Sequence, residues 1–330
     1  MLEVFFCNVG DGDAVLVRER GEDGRDYAVL VDAGRPFVES RDGSLRKDAL
    51  EYLLDRQVTH LDRMILTHPH IDHVGGAARI VRAIRVDRLQ MLTVPPEDAR
   101  FVPRSFISTK KPPNGLRQML NILKELCEAA QERGTAVETI QAGEQALTDR
   151  LTMTVYYPRA EIVDRQKQVF DALYRGDAVE EGLCTQVAKE RNLSSLMLRF
   201  AYGHRSVLIT GDRYAADWEG EAIPPCDILK LPHHGDRKSM TPGLLNKLSP
   251  WCAVVSCEND PNAKKERPDE EIMTMFLERL PLVLCTENRP MAALAESTTN
   301  GIRFDIQPDG AVTCRREGRD PLFVFFGKVR

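Results

Sequence analysis

The chain has eight cysteines but no C-x-x-C pair among them, so it offers neither a thiolate zinc knuckle nor a dithiol redox motif. Cys7, Cys226, Cys252 and Cys285 sit in apolar strand-like runs, where a thiol behaves as a small hydrophobe. They read as reduced core residues of an intracellular protein. No apolar run approaches membrane-spanning length, and Met1 leads directly into Leu2-Glu3-Val4-Phe5-Phe6 without the basic segment and cleavage site of a secretory signal. A soluble, cytoplasmic protein with no membrane partner is therefore expected. The formal charge is only −5, so no global basic field gathers nucleic acid, and local patches would have to do so. Neither G-x-S-x-G nor G-x-x-x-x-G-K-S/T occurs, which leaves serine-hydrolase and P-loop chemistry without support. Histidine is scarce too: there are seven, and none lies between His73 and His204.

What is present is concentrated. Thr67-His68-Pro69-His70-Ile71-Asp72-His73-Val74-Gly75-Gly76 follows Met64-Ile65-Leu66, a run that reads as a buried strand. Pro69 fixes its own φ and keeps His68 out of helical geometry, so His68 and His70 leave the strand extended and on one side, able to chelate one cation. Asp72 and His73 follow where the glycine pair turns the chain towards a helix from Ala77 to Arg85, and form a second half-site. Imidazole and carboxylate without cysteine suit Zn²⁺, Mn²⁺ or Fe, whereas Mg²⁺ and Ca²⁺ prefer mostly oxygen.

The rest of the chain reads as a frame for this loop. With 330 residues, 42% of them hydrophobic, it supports one large core. The expectation is a single domain over 1–330, with a loop or lid at about 95–115, an inserted segment at about 160–191 and a small C-terminal extension at about 286–330. Strands are expected at Leu2–Asn8, Asp13–Arg18, Tyr27–Val31 and Arg88–Val94, and helices at Lys47–Gln57, Leu116–Arg133 and Pro268–Leu280. Ala136–Ile140 and Leu151–Tyr157 are expected to start the second half of a two-sheet sandwich. Leu196–Ala201 and Ser206–Thr210 form a hairpin whose tip exposes His204. His60 reads as a surface residue. Asp13, in the Gly-Asp-Gly-Asp turn, is expected near the metal rim. The inserted segment or the C-terminal strands are the expected contacts for a second copy or a partner protein.

The H-x-H-x-D-H loop resembles the metallo-β-lactamase superfamily, and matching motifs recur in order. Asp32 in Leu30-Val31-Asp32-Ala33-Gly34 resembles the first motif, Asp212 in Leu208-Ile209-Thr210-Gly211-Asp212 the bridging carboxylate, and Pro232-His233-His234-Gly235 the last histidine motif. Asn8-Val9-Gly10-Asp11-Gly12-Asp13-Ala14 and the Pro-His-His-Gly element resemble the branch containing the hydrolase domain of ComEC-type DNA-uptake proteins. The resemblance implies an α/β (α+β) fold, an αββα sandwich of two mixed sheets flanked by helices, holding one or two divalent transition-metal ions, Zn or Mn.

In that frame His68 and His70 hold one ion, Asp72, His73 and either His233 or His234 the other, and Asp212 bridges them. Asp32 orients a ligand imidazole, and Asn192-Leu193-Ser194-Ser195 resembles the branch's Asn-and-Ser motif, which places Asn192 and Ser195 behind the ligands. A hydroxide shared by the ions is the expected nucleophile. Asp72 orients it or takes its proton, and whichever of His233 and His234 is not a ligand contacts the attacked group or the leaving oxygen. Dinuclear members add a first-site histidine before the bridging aspartate. This chain has none there, so its first site holds fewer protein ligands. Lys230, Arg237, Lys238 and Ser239 are candidate phosphate contacts, with Lys110, Lys111, Lys264, Lys265 and Arg267 as further basic residues. The leading expectation is a phosphodiesterase or nuclease acting on nucleic acid or a nucleotide. The alternatives are an ester, thioester or lactone hydrolase, and a weakly catalytic metal-binding interaction module.

Overall fold

β1 (Leu2–Cys7) is buried along its whole length in the computed structural model, which describes residues 1–21, 24–38, 44–103, 111–258, 267–288, 297–318 and 322–326. Leu2, Val4 and Phe6 face a second sheet while Phe5 and Cys7 face helices, the alternation that a period of two requires. β1 therefore has a core on each side.

β2 (Val15–Arg20) and β3 (Asp26–Val31) continue as an antiparallel meander. α1 (Ala49–Asp55), closed at its start by a capping box between Asp48 and Glu51, carries the chain to β4 (His60–Leu66), parallel to β3. The ligand loop opens into α2 (Ile71–Val74) and α3 (Ala77–Ala83), and β5 (Arg85–Met91) returns parallel to β4. α4 (Lys111–Arg133) then leads to β6 (Ala136–Thr139), parallel to β5.

The second sheet starts with β7 (Gly143–Ala146) and β8 (Leu151–Tyr156), an antiparallel pair. Two helices, α5 (Ala160–Arg175) and α6 (Glu181–Lys189), precede the hairpin of β9 (Met197–Tyr202) and β10 (Arg205–Ile209). β11 (Ile228–Lys230), α7 (Pro242–Leu248), β12 (Cys252–Val255), α8 (Glu270–Arg279) and β13 (Leu282–Cys285) complete it with parallel pairings. β14 (Glu287–Asn288), β15 (Ser297–Ile306), β16 (Val312–Gly318) and β17 (Leu322–Phe326) rejoin the first sheet, β15 lying antiparallel to β1.

Among the described residues, the first sheet, of ten strands, runs β17-β16-β15-β1-β2-β3-β4-β5-β6 with β14 on β15, and the second, of seven, runs β13-β12-β11-β10-β9-β8-β7. Val4, Phe6, Val29, Phe200, Val207 and Phe304 fill the space between them. Each such buried side chain contributes about 1.5–3 kcal/mol by leaving water. Leu53, Ile80 and Leu126 cover the outer face of the first sheet, and Leu244, Leu248 and Phe276 that of the second. The layers are α/β/β/α.

Two expectations change. Ala136–Thr139 belongs to the first sheet, because the crossover through α4 returns the chain beside β5 in the parallel sense; the second sheet begins at Gly143. The segment expected as a loop to Gly115 is already helical from Lys111. Lys110, Lys264 and Lys265 lie outside the described residues. The inserted helices α5 and α6 pack on α4 through Leu116, Leu120, Val169, Phe170, Leu173 and Val187, and Tyr174 donates its hydroxyl to the Leu120 carbonyl at 2.9 Å. His204 is exposed at its hairpin tip, while His60 is half-buried, with Nε2 3.0 Å from Asp87. Among the described residues, no helix is long and apolar enough to cross a membrane.

Candidate metal centre

The C-terminal ends of two parallel strand pairs, β3 with β4 and β10 with β11, meet at one edge of the sandwich. Asp32 leaves β3 with φ 59°, and His233 and His234 follow β11 with φ 49° and 54°. A left-handed backbone at a residue other than glycine costs energy and concentrates at functional sites. The Gly-Asp-Gly-Asp turn supports the ligand loop from below: Asp13 N donates to the Asp72 carbonyl at 3.1 Å, and a Cβ at Gly12 would stand 2.6 Å from that oxygen.

Around this edge ligand atoms converge on one another. His68 Nε2 is 3.0 Å from His70 Nδ1 and 3.6 Å from Asp212 Oδ2. His73 Nε2 is 3.4 Å from Asp212 Oδ1, and His234 Nε2 is 3.6 Å from Asp72 Oδ2. Two ligands about 2.1 Å from a tetrahedral ion stand about 3.4 Å apart, so these separations are those of a coordination shell. Asp212 turns one oxygen to each half-site. Both of its oxygens, with His73 Nε2 and His234 Nε2, are buried and, among the described residues, lack hydrogen-bond partners. Buried polar atoms are ordinarily satisfied, and four orphans at one point fit divalent cations. Three overlapping ligand groups result here: His68, His70 and Asp212; Asp72, His73 and His234; and Asp13, His73 and Asp212.

The neighbours fix the tautomers. His73 Nδ1 is 2.8 Å from Asp32 Oδ2, and His234 Nδ1 is 2.9 Å from the Ser256 carbonyl. Both partners accept only, so Nδ1 carries the proton and Nε2 turns its lone pair inward. Asp32 also accepts from Thr67 N at 2.8 Å and Thr67 Oγ1 at 2.7 Å, and the Asp212 amide donates to Ser195 Oγ at 3.1 Å.

The field here is built for positive charge. Burial pulls His234 down, but the Asp72 carboxylate, with Asp13 and Asp212, lifts it to about 9. His73 is opposed by burial and raised well above the ordinary range by Asp212 and Asp32. Burial works against ionised Asp72 and Asp212 as well, yet the imidazoles of His234 and His73 hold both carboxyls far below theirs. Burial lowers His68, and burial with Arg191 brings His70 to about 4.

An open pocket lies over the cluster, lined in part by His70, Asp72, Asp212, Asn192, Tyr214 and His233, with Lys189, Arg191 and Arg267 as its cations. The geometry separates the paired histidines. His234 joins the second ligand group, whereas His233 faces the pocket, its Nε2 3.7 Å from Asp212 Oδ2 and 3.2 Å from Asn192 Nδ2. Burial and Arg267 lower His233 to about 4.

The expected phosphate contacts are largely displaced. Lys230 is buried and bonded to Asp13, so it faces no ligand. Asp13 lies at the cluster, as expected, but buried rather than open to substrate: its carboxylate is 3.7 Å from His73 Nδ1 and from His234 Nδ1. Ser239 is fully buried. Arg237 points to solvent and pairs with Glu271. Lys238 stays at the rim, its Nζ 5.7 Å from the centroid of the Tyr214 ring. Asn192 lines the pocket itself and holds His233. Arg191, Lys189 and Tyr214 were not singled out by the sequence. Arg191 directly precedes the Asn-Leu-Ser-Ser motif, the one local sign of its place.

A sandwich whose strand ends converge on two His/Asp half-sites defines a metal-dependent hydrolase. The chain belongs to the metallo-beta-lactamase superfamily, whose family model matches residues 7–256. It is 24% identical over 301 residues to ComE operon protein 3 of Bacillus subtilis (strain 168), covering 86% of this chain and 32% of that protein. The chain thus spans about a third of the length of that relative. Among solved structures it resembles Igni18, a metallo hydrolase from Ignicoccus hospitalis KIN4/I, at 15% identity over 92% of this chain and 100% of that one, with a TM-score of 0.46. It also resembles Tm1679, a metal-dependent hydrolase of the beta-lactamase superfamily, at 11% identity over 93% and 99%, with a TM-score of 0.46.

Proposed function

We propose that the protein is a phosphodiesterase, with nucleic acid or a nucleotide as substrate and Zn²⁺ or Mn²⁺ as its ions. The observation that carries this reading is the cationic wall of the pocket, Lys189, Arg191 and Arg267, beside a cluster with donors for two ions. An acyl substrate has no need of three cations, whereas a phosphodiester brings charge to both its ground and transition states. The resemblance to the DNA-uptake branch supports nucleic acid.

Bound divalent ions make water nucleophilic near neutral pH and draw off charge that develops on the attacked group. The chain's own residues do the rest. Asp72 has one oxygen towards His234 and lines the pocket, so it orients the attacking water. His233 is neutral at pH 7, and a cation beside it lowers it further. Its Nε2 accepts from Asn192 Nδ2 at 3.2 Å, so its one N–H, on Nδ1, is what it can donate to the attacked group, and it is not the proton source for the leaving oxygen. Asn192 holds its ring.

The test is cleavage of single- and double-stranded DNA and RNA and of bis-p-nitrophenyl phosphate by protein stripped of metal and reloaded with Zn²⁺ or Mn²⁺. Cutting that needs metal and disappears in Asp72→Ala is the expected result. Tight metal loading without phosphodiester cleavage would overturn the reading and direct attention to esters, thioesters and lactones.

A further inference from the structure

The three pocket cations are not equivalent. Lys189 is exposed. Arg267 has a carboxylate partner, Asp236, at 3.5 Å. Arg191 is partly buried, and among the described residues no carboxylate stands within ion-pair distance of it. Its Nε donates to the Ala188 carbonyl at 2.7 Å. That bond fixes the guanidinium plane, and among the described residues no hydrogen bond occupies the two terminal nitrogens, which can form a fork. Gly115 faces this fork: a Cβ there would stand 3.4 Å from Arg191 Nη1 and 3.9 Å from Nη2, so the missing side chain keeps that flank of the guanidinium clear.

Taking a guanidinium out of water without a counter-charge is unfavourable unless a ligand supplies one. Burial lowers Arg191, and Asp72 is the group that pulls it back. Arg191 also acts electrostatically on His70. Arg191 lines the same pocket as His70, Asp72 and Asp212, which puts the fork over the ligand cluster. An anion seated there would meet the ions on one side and a rigid pair of N–H donors on the other.

We propose that Arg191 selects the substrate of this site: its fork binds the non-bridging oxygens of an anionic phosphorus ester, so that the same metal centre prefers phosphoryl to carbonyl esters. This rests on the phosphodiesterase reading. The fork matches two oxygens on one tetrahedral centre. A carbonyl ester offers a single developing oxyanion, which the ions already serve, and so gains little from Arg191.

The experiment compares the parent, Arg191→Ala, Arg191→Lys and Arg191→Gln, each reloaded to equal metal content. The substrates are bis-p-nitrophenyl phosphate and p-nitrophenyl acetate, with calorimetric binding of inorganic phosphate as a readout independent of turnover. Arg191→Gln retains a donor for the Ala188 carbonyl and guards against loss of the pocket wall. Expected in Arg191→Ala is a fall of about 10- to 100-fold in kcat/KM for the diester, a change within about 3-fold for the acetate, and phosphate affinity weakened about tenfold or more. Lysine should restore part of the loss, because it keeps charge without the fork. Equal losses on both substrates, or unchanged phosphate affinity, would overturn the assignment. If the parent cuts no phosphodiester yet binds phosphate through Arg191, the phosphodiesterase reading fails and the anion site stands. If the parent cuts diesters and Arg191→Ala matches it, the reading stands and the anion site fails.

Discussion

Lys230 on β11 bonds to Asp13 across the gap between the two sheets, and the paired side chains are 0% and 3% exposed. The pair lies behind the metal cluster, with one Asp13 oxygen facing His73 from the first sheet and the other facing His234 from the second. A single buried ion pair therefore ties together the layers that supply the ligands. Lys230→Met leaves the Asp13 carboxylate buried and unpaired, which costs about 3–5 kcal/mol. Urea denaturation should show that loss, and Lys230→Met with Asp13→Asn should recover part of it.

Metal affinity should separate Asp212 from Asp32. Asp212 faces both half-sites, so Asp212→Ala should abolish tight loading at either. Asp32 acts through the His73 ring and Thr67. Asp32→Asn should weaken metal binding about 10- to 100-fold without abolishing it. Chelator competition checks both, and equal affinities for the two variants would contradict the arrangement.

The paired histidines should behave differently. His234→Ala removes a ligand and should lower metal content. His233→Ala should leave metal content unchanged and reduce kcat about 100-fold or more, within the range for loss of one hydrogen-bond donor to the developing charge. Metal analysis beside turnover on bis-p-nitrophenyl phosphate distinguishes them, and loss of metal in His233→Ala would make His233 a ligand.

Stability of the metal-free protein should depend on pH. His234 is raised to about 9 in the folded chain, above its unfolded value of about 6.5. The stability it contributes is full below pH of about 6.5 and is lost as pH rises through about 9. His73, raised as well, acts in the same sense. A bound ion replaces these protons, so metal-loaded protein should lose less stability over that window. Loading at pH 7 should also release protons, fewer as pH approaches 9. Thermal melts across pH, and calorimetry in buffers of different ionisation enthalpy, test both statements. A metal-free protein equally stable at pH 6.5 and 9 would contradict them.

Some of the site was open to reading because its chemistry is local. His68, His70, Asp72 and His73 follow one strand within six residues, and proline and glycine set their directions over that short span. Other residues were misread where the deciding partner is distant in the chain. Lys230 precedes the histidine pair and resembles a groove cation, but Asp13, 217 positions away, claims it. Arg191 sits in a charged stretch that resembles a solvated helix end. Only the Ala188 carbonyl, the bare Gly115 and the absence of a carboxylate partner among the described residues set it apart.

The amino-acid order by itself determined the ligand types and most of the strands and helices, because these depend on residue identity and short-range periodicity, while the two-sheet α/β frame was implied by the resemblance its motifs carry. Tertiary structure decided which neighbouring histidine turns inward. His233 and His234 both adopt a left-handed backbone, but only His234 meets the Ser256 carbonyl at the end of β12, which fixes its proton and points Nε2 at Asp72. It also decided which cations face the pocket, since burial and ion pairing are set by what the opposite layer places against each side chain.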